Sequence, residues 1–227
     1  MSFDIARIEL VIFDWDGTVM DSVGRIVSAM QSAAQLTELP VPSDHSVKQI
    51  IGLSLDLAFS TLFPAMTAAQ HQRLFEHYRE QYVERDPTPT PMFTGAEALF
   101  LQLRAQQKRL AVATGKARKG LDRIFAETGL AHYFDTTRCA DDAKSKPDPD
   151  MLLQILAETR LAPEQALMVG DTSHDMLMAQ QAGIPRIGVT HGVHGVDVLS
   201  QFQPLAIVDD LPQLQRLFAP AATTLPV

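Results

Sequence analysis

The sequence predicts an α/β protein in which an all-helical insert interrupts a parallel-sheet core, and three observations carry that prediction. Ile8 to Phe13 is apolar and partly β-branched and ends at Asp14-Trp15-Asp16-Gly17-Thr18, the pattern of a buried strand feeding a polar turn. From about 20 to 85 the apolar residues follow helical spacing with no convincing strand. From Ala96 onward strand and helix patterns alternate, which calls for βαβ units and a parallel sheet. The simplest architecture is a Rossmann-like core made of residues 1–20 and 86–227, with a helical cap domain at 21–85.

Within the helical block, Ile26, Val27, Met30, Ala33 and Ala34 mark one helix and Leu55, Ala58, Phe59, Leu62 and Phe63 a second. Leu74, Phe75, Tyr78 and Tyr82 mark another. Asp86-Pro87-Thr88-Pro89-Thr90-Pro91 cannot continue a helix and reads as a semi-rigid connector. Then come helix Ala96 to Gln106, strand Leu110 to Ala113, helix Arg118 to Thr128 and a candidate strand near Phe134 to Cys139. Helix Asp150 to Thr159, strand Leu167 to Val169, helix Asp175 to Gln181 and strands Arg186 to Val189 and Leu205 to Val208 complete the order. No internal repeat is present, and the tail from Ala219 to Val227 reads as loosely ordered.

Composition narrows the function classes. At 227 residues, 46% hydrophobic and 20% charged, the chain can bury a sizeable core and is not of a disordered kind. A formal net charge of −8 would repel a nucleic-acid backbone, and no basic stripe offsets it, so nucleic acid is not an expected partner. An acidic protein can still hold an anion where a metal ion and a few lysines reverse the local field. With Cys139 alone no intrachain disulfide can form, and it reads as a small packed residue. Met1 to Leu10 lacks the order of a signal peptide and no apolar run spans a membrane, so a cytoplasmic location without membrane association is expected.

In open parallel sheets ligands bind outside the carboxyl ends of the strands. Asp14 and Asp16 follow the first predicted strand, and Thr114, Gly115 and Lys116 follow the second. Gly170, Asp171 and Asp175 follow Leu167 to Val169, while Lys146 and Pro147 lie in the loop before the helix at Asp150. Carboxylates gathered at one edge repel one another unless a cation holds them, and hard oxygen ligands that also leave room for phosphate suit Mg²⁺. Beside such an ion and a lysine, a carboxylate can approach phosphorus.

Four motifs in order, Asp14-Trp-Asp16-Gly-Thr-Val-Met-Asp-Ser22, Ala113-Thr114-Gly-Lys116, Lys144-Ser-Lys146-Pro-Asp-Pro149 and Gly170-Asp171-Thr-Ser-His-Asp175, span nearly all of the core. In these the chain resembles the haloacid dehalogenase superfamily, and most its phosphoglycolate phosphatase group with a helical cap. The resemblance implies a Mg²⁺-dependent phosphatase of small phosphomonoesters of the phosphoglycolate kind, working as a monomer or homodimer. It implies that Asp14 is the nucleophile and Asp16 the acid and base, with Mg²⁺ held by Asp14, Asp171 and the backbone carbonyl of Asp16, and Asp175 as a further ligand or as a partner of the bound ligands. Thr114 and the N–H groups after it would hold the phosphoryl oxygens, and Lys146 would link the phosphoryl group to the nucleophile.

Plainer readings stand beside these. Asp-Gly is often only a tight turn, Thr114 a helix N-cap, and Asp171 and Asp175 acids that favour a helix dipole. Either Lys144 or Lys146 could reach inward; Pro147 fits the lysine-proline pattern of the family that the chain resembles, which favours Lys146. Lys116, Arg118 and Lys119 form a basic cluster with a surface role or a part in phosphate recognition. His191 and His194 read as an ordinary loop near the site's rim. In the cap, Lys48 is the candidate substrate contact, against a solvated helix end. A phosphonatase, which would need Lys48 for a Schiff base, and a phosphomutase of the same superfamily remain open, as does a phospho-receiver domain. Asp16 and Asp171 argue against a dehalogenase, and Asp16 with the insert against the receiver.

Overall fold

A computed structural model describes residues 5–219. Most of the tail expected to be loosely ordered lies outside the described residues, as does the start of the chain.

Six parallel strands form one sheet: β1 (Leu10–Phe13), β2 (Arg109–Ala113), β3 (Thr136–Arg138), β4 (Ala166–Gly170), β5 (Arg186–Val189) and β6 (Ala206–Val208), in the order β3-β2-β1-β4-β5-β6. Every residue of β1 and β4 is buried, as expected for central parallel strands covered on both sides. The two-residue alternation divides their side chains. Val11, Phe13, Leu110, Val112, Leu167 and Val169 face one layer, packed on α5 (Ala96–Ala105), α6 (Arg118–Thr128) and α10 (Leu211–Leu217). Leu10, Ile12, Ala111, Ala113, Ala166 and Met168 face the other, packed on α7 (Asp150–Thr159) and α8 (Ser173–Gln181). The strand order reverses between β1 and β4, the crevice where such sheets bind ligands.

Between β1 and α5 the chain forms α1 (Val23–Leu36), α2 (Asp44–Lys48), α3 (Leu55–Leu62) and α4 (Ala68–Glu80), with a π-helical turn at Gln81–Arg85. These helices bury a cluster of their own around Met30, Phe59, Leu74, Tyr78 and Tyr82. The outgoing and returning chains pair, with Met20 bridged to Met92, Asp21 N–H donating to Pro91 and Phe93 N–H donating to Val19. The Pro-rich connector forms neither helix nor strand, in keeping with its prolines.

Short elements were not foreseen: α2, α9 (Val196–Leu199) and α10 span too few residues to show a period. The helix expected from Asp175 begins two residues earlier, because Thr172 caps it. Trp15 is fully buried, edge-on to Phe125 (ring centroids 5.3 Å) and Phe134 (6.0 Å). Among the described residues no helix is long and apolar enough to cross a membrane.

Candidate active site

At the β1 exit, continued strand-like alternation sends Trp15 into the aromatic cluster, and its neighbours Asp14 and Asp16 line a cavity on the opposite side. Gly17 then turns the chain with φ of +86°, where a β-carbon would be strained and would also overlap the Asp171 carboxylate. That close approach lets Thr18 Oγ1 donate to Asp171 Oδ1 at 2.7 Å, while Val193 N–H donates to Oδ2 at 2.8 Å. Asp171 sits at the β4 exit, beside β1.

Asp175 is fixed by the first turn of α8. Thr172 Oγ1 accepts from Asp175 N–H, and Asp175 Oδ2 accepts from the N–H and hydroxyl of Thr172, a reciprocal cap. Its other oxygen is thereby aimed at Lys146, whose ammonium donates at 2.6 Å to Asp175 Oδ1 and at 2.6 Å to Asp14 Oδ1. Lys146 is wholly buried, whereas Lys144 is 75% exposed beside Asp148, so Lys146 is the lysine that reaches inward.

Asp14, Asp171 and Asp175 are all buried, and one oxygen of each lies within 4.8 Å of the others. Burial first, then the charge of Asp175, pushes Asp14 well above the usual carboxylate range, with Lys146 pulling it back. Burial and Asp175 likewise raise Asp171 to about 7. Burial pulls Lys146 down, but its two carboxylates more than offset that and leave it above its ordinary value. One ammonium among three buried carboxylates is too little charge, and Asp14 Oδ2 is buried with no partner among the described residues. A hard divalent cation fits this set, supplying the missing charge and a partner for that oxygen.

Asp16 is held differently. Its Oδ1 accepts from Ser22 Oγ at 2.7 Å and lies 3.1 Å from Lys116 Nζ. Lys116 is no surface residue: it is half-enclosed beneath Tyr82, 5.0 Å from the ring centroid and 3.4 Å from the phenol oxygen. Burial lowers Lys116, but Asp16 and Tyr82 together raise it above its ordinary value. Thr114 is buried, accepts from Lys116 N–H at 3.1 Å and lines the cavity with Gly115 and Lys116.

Gly115 marks the contact between core and insert. A β-carbon there would overlap the carbonyl oxygens of Gly52 and Leu53, so only glycine permits the two backbones to meet. Ser54 N–H donates to Ser145 Oγ at 2.8 Å, and His174 Nε2 lies 3.0 Å from the Gln49 carbonyl oxygen. Lys48 is not brought to the site: it is exposed at the end of α2 and does not line the cavity. His191 and His194 serve the loop, against the Thr18 carbonyl oxygen and the Ser173 N–H respectively. The roles of Ser22 and Tyr82 were not foreseen; Ser22 stands inside the first motif, but Tyr82 reads like any core aromatic.

A Rossmann-ordered sheet carries buried carboxylates and a lysine at its switch point, and the carboxylates form a cluster that could hold a metal ion. Residues 11–189 match the family of haloacid dehalogenase-like hydrolases, and the chain belongs to that family. It is 39% identical over 216 residues to the protein of Dickeya dadantii described as "Probable phosphatase IndB", covering 90% of this chain and 91% of that one. It is 29% identical to the phosphoglycolate phosphatase of Vibrio cholerae, covering 91% and 95%. The crystal structure of a hydrolase from Pseudomonas syringae superposes with a TM-score of 0.83 at 26% identity, covering 92% and 96%.

Proposed function

We propose that this protein is a Mg²⁺-dependent phosphatase of small phosphomonoesters that works through a phosphoaspartate at Asp14, with residues 21–85 as its cap. The observation that carries the reading is the Lys146 bridge between Asp14 and Asp175, with Asp14 Oδ2 left unpartnered at the base of a cavity. The phosphatase names of the relatives from Dickeya dadantii and Vibrio cholerae support it.

Asp14, Asp171 and Asp175, with the Asp16 carbonyl, would hold the ion, which when bound would supply positive charge beside the phosphoryl oxygens. Lys146 orients Asp14 through Oδ1 and lowers the repulsion between two anions. Asp14 attacks phosphorus as the bond to the alcohol oxygen breaks. Asp16 gives its proton to that oxygen, then takes one from the water that splits the phosphoaspartate and frees inorganic phosphate. Thr114 and the following N–H groups hold phosphoryl oxygens. The insert, packed on the core at Gly115, keeps bulk water away during the transfer.

Released phosphate from p-nitrophenyl phosphate tests this. Activity should require Mg²⁺, stop with EDTA and return when the ion is restored. Asp14→Asn should lower turnover by on the order of 10⁴-fold or more with the fold retained by circular dichroism. Substantial activity in a clean preparation of that variant would remove Asp14 as nucleophile.

A further inference from the structure

The cavity above Asp14 and Asp16 has a volume of about 450 Å³, within the range that encloses a ring-bearing small molecule. Its two ends differ in chemistry. The base carries Asp14, Asp16 and Thr114, whereas the wall supplied by the insert is mostly apolar, with Ile26 and Met30 of α1, Ile51 and Leu53 of the loop before α3, Ala58 of α3 and Tyr78 of α4 beside the charged Arg79 and Glu84. Tyr78 and Tyr82 stack, with ring centroids 5.8 Å apart and planes 29° apart, and both border the cavity.

Four cations also border the cavity. Lys116 is the nearest to the base, and its charge is already matched by Asp16 and covered by Tyr82. Arg79 and Lys119 are exposed, and Arg123 lies 3.8 Å from Glu127. A two-carbon acid phosphate would leave most of the cavity unfilled and the insert's hydrocarbon in contact with water. An apolar ring would fill that space and remove water from the same surface.

We propose that the substrate is a phosphomonoester of an alcohol with an apolar, ring-sized body, whose phosphate lies at Asp14 and whose body rests against the insert. This rests on the phosphatase reading above and narrows its substrate away from phosphoglycolate.

The test compares kcat/KM for 2-phenylethyl phosphate, ethyl phosphate and phosphoglycolate with the Mg²⁺-loaded full chain; phenylethyl and ethyl alcohols leave with similar ease. 2-Phenylethyl phosphate should exceed the other two by roughly ten-fold or more. Calorimetry should give the same order for the non-hydrolysed pair, with 2-phenylethylphosphonate binding more tightly than methylphosphonate. Leu53→Asn, at a half-buried position on the wall, should shrink the phenylethyl-to-ethyl ratio at least three-fold. Equal rates for the three esters, a preference for phosphoglycolate, or a ratio unmoved in Leu53→Asn would overturn the substrate class while leaving the phosphatase reading intact. Failure to hydrolyse any of the esters or p-nitrophenyl phosphate would instead overturn the phosphatase reading and this inference with it.

Discussion

The edge of the sheet and the wall of the insert face each other across one cavity, yet they are built on opposite principles. At the sheet edge, Asp14, Asp171, Asp175 and Lys146 are ionisable, fully enclosed and joined by bonds of 2.6 to 2.8 Å to one another or to fixed partners. Across the cavity, Ile26, Met30, Ile51 and Ala58 have no polar side-chain atoms and are placed only by packing. Directional bonds fix one geometry, which suits a step that must be repeated identically. Shape and hydrocarbon fix only size, so choice of substrate can change there without disturbing the chemistry.

After Asp14, that contrast is broken most severely at Asp16. Asp16→Asn keeps the shape and loses the proton, so steady-state turnover should fall by about 10²–10⁴-fold. A normal rate would mean that the acid lies elsewhere. Next comes the contact between the two regions. Gly115→Ala should force the insert away from the core and lower kcat/KM by up to about 10²-fold, with single-turnover kinetics showing the loss in the chemical step. An unchanged rate would show that the backbones can part without cost.

The pH dependence of Mg²⁺ binding sharpens the electrostatic half of the comparison. Asp171 stands at about 7 in the metal-free protein, against 3.8 for an ordinary Asp, so the folded state holds a proton that the unfolded chain releases. Its burial therefore destabilises the metal-free fold increasingly as pH rises from about 4 to 7, and fully above that. A cation reverses the penalty and must displace the proton at lower pH. The rise in melting temperature on adding Mg²⁺ should be larger at pH 8 than at pH 5.5, and equal shifts would contradict the carboxylate cluster as the binding site. The smallest effect belongs to Lys48. Exposed and away from the cavity, Lys48→Ala should change kcat/KM by no more than about two-fold.

The same contrast decides what could be read beforehand. Asp14, Asp16, Lys116 and Asp171 each lie within a few residues of a strand end, so apolar runs followed by Asp, Thr or Lys announced the sheet and most of its edge. Lys146 was separable from Lys144 by the proline after it, and the structure gives the reason: Lys146 alone is enclosed by two carboxylates. The insert was legible only as helical. Lys48 drew attention because it is charged and near a turn, but a helix of five residues gives no period to say which way it faces. Tyr82 escaped notice for the converse reason: helical spacing placed it among packing residues, and only tertiary contact puts its ring over Lys116. Ser22 and Thr18 stood within the first motif, but hydroxyls near a turn usually serve the backbone, and their partners Asp16 and Asp171 emerge only when the chain is folded.

Trp15, the sole tryptophan, sits between the two acids in the chain and is sealed among Phe125 and Phe134 in the core. The stacked tyrosines at 78 and 82 belong to the insert. Light absorbed by the indole alone therefore samples one half of the molecule, while phenol emission is weighted toward the other. The chain carries its own pair of optical labels, and melting followed at the two colours would show whether the halves come apart in one event or in succession.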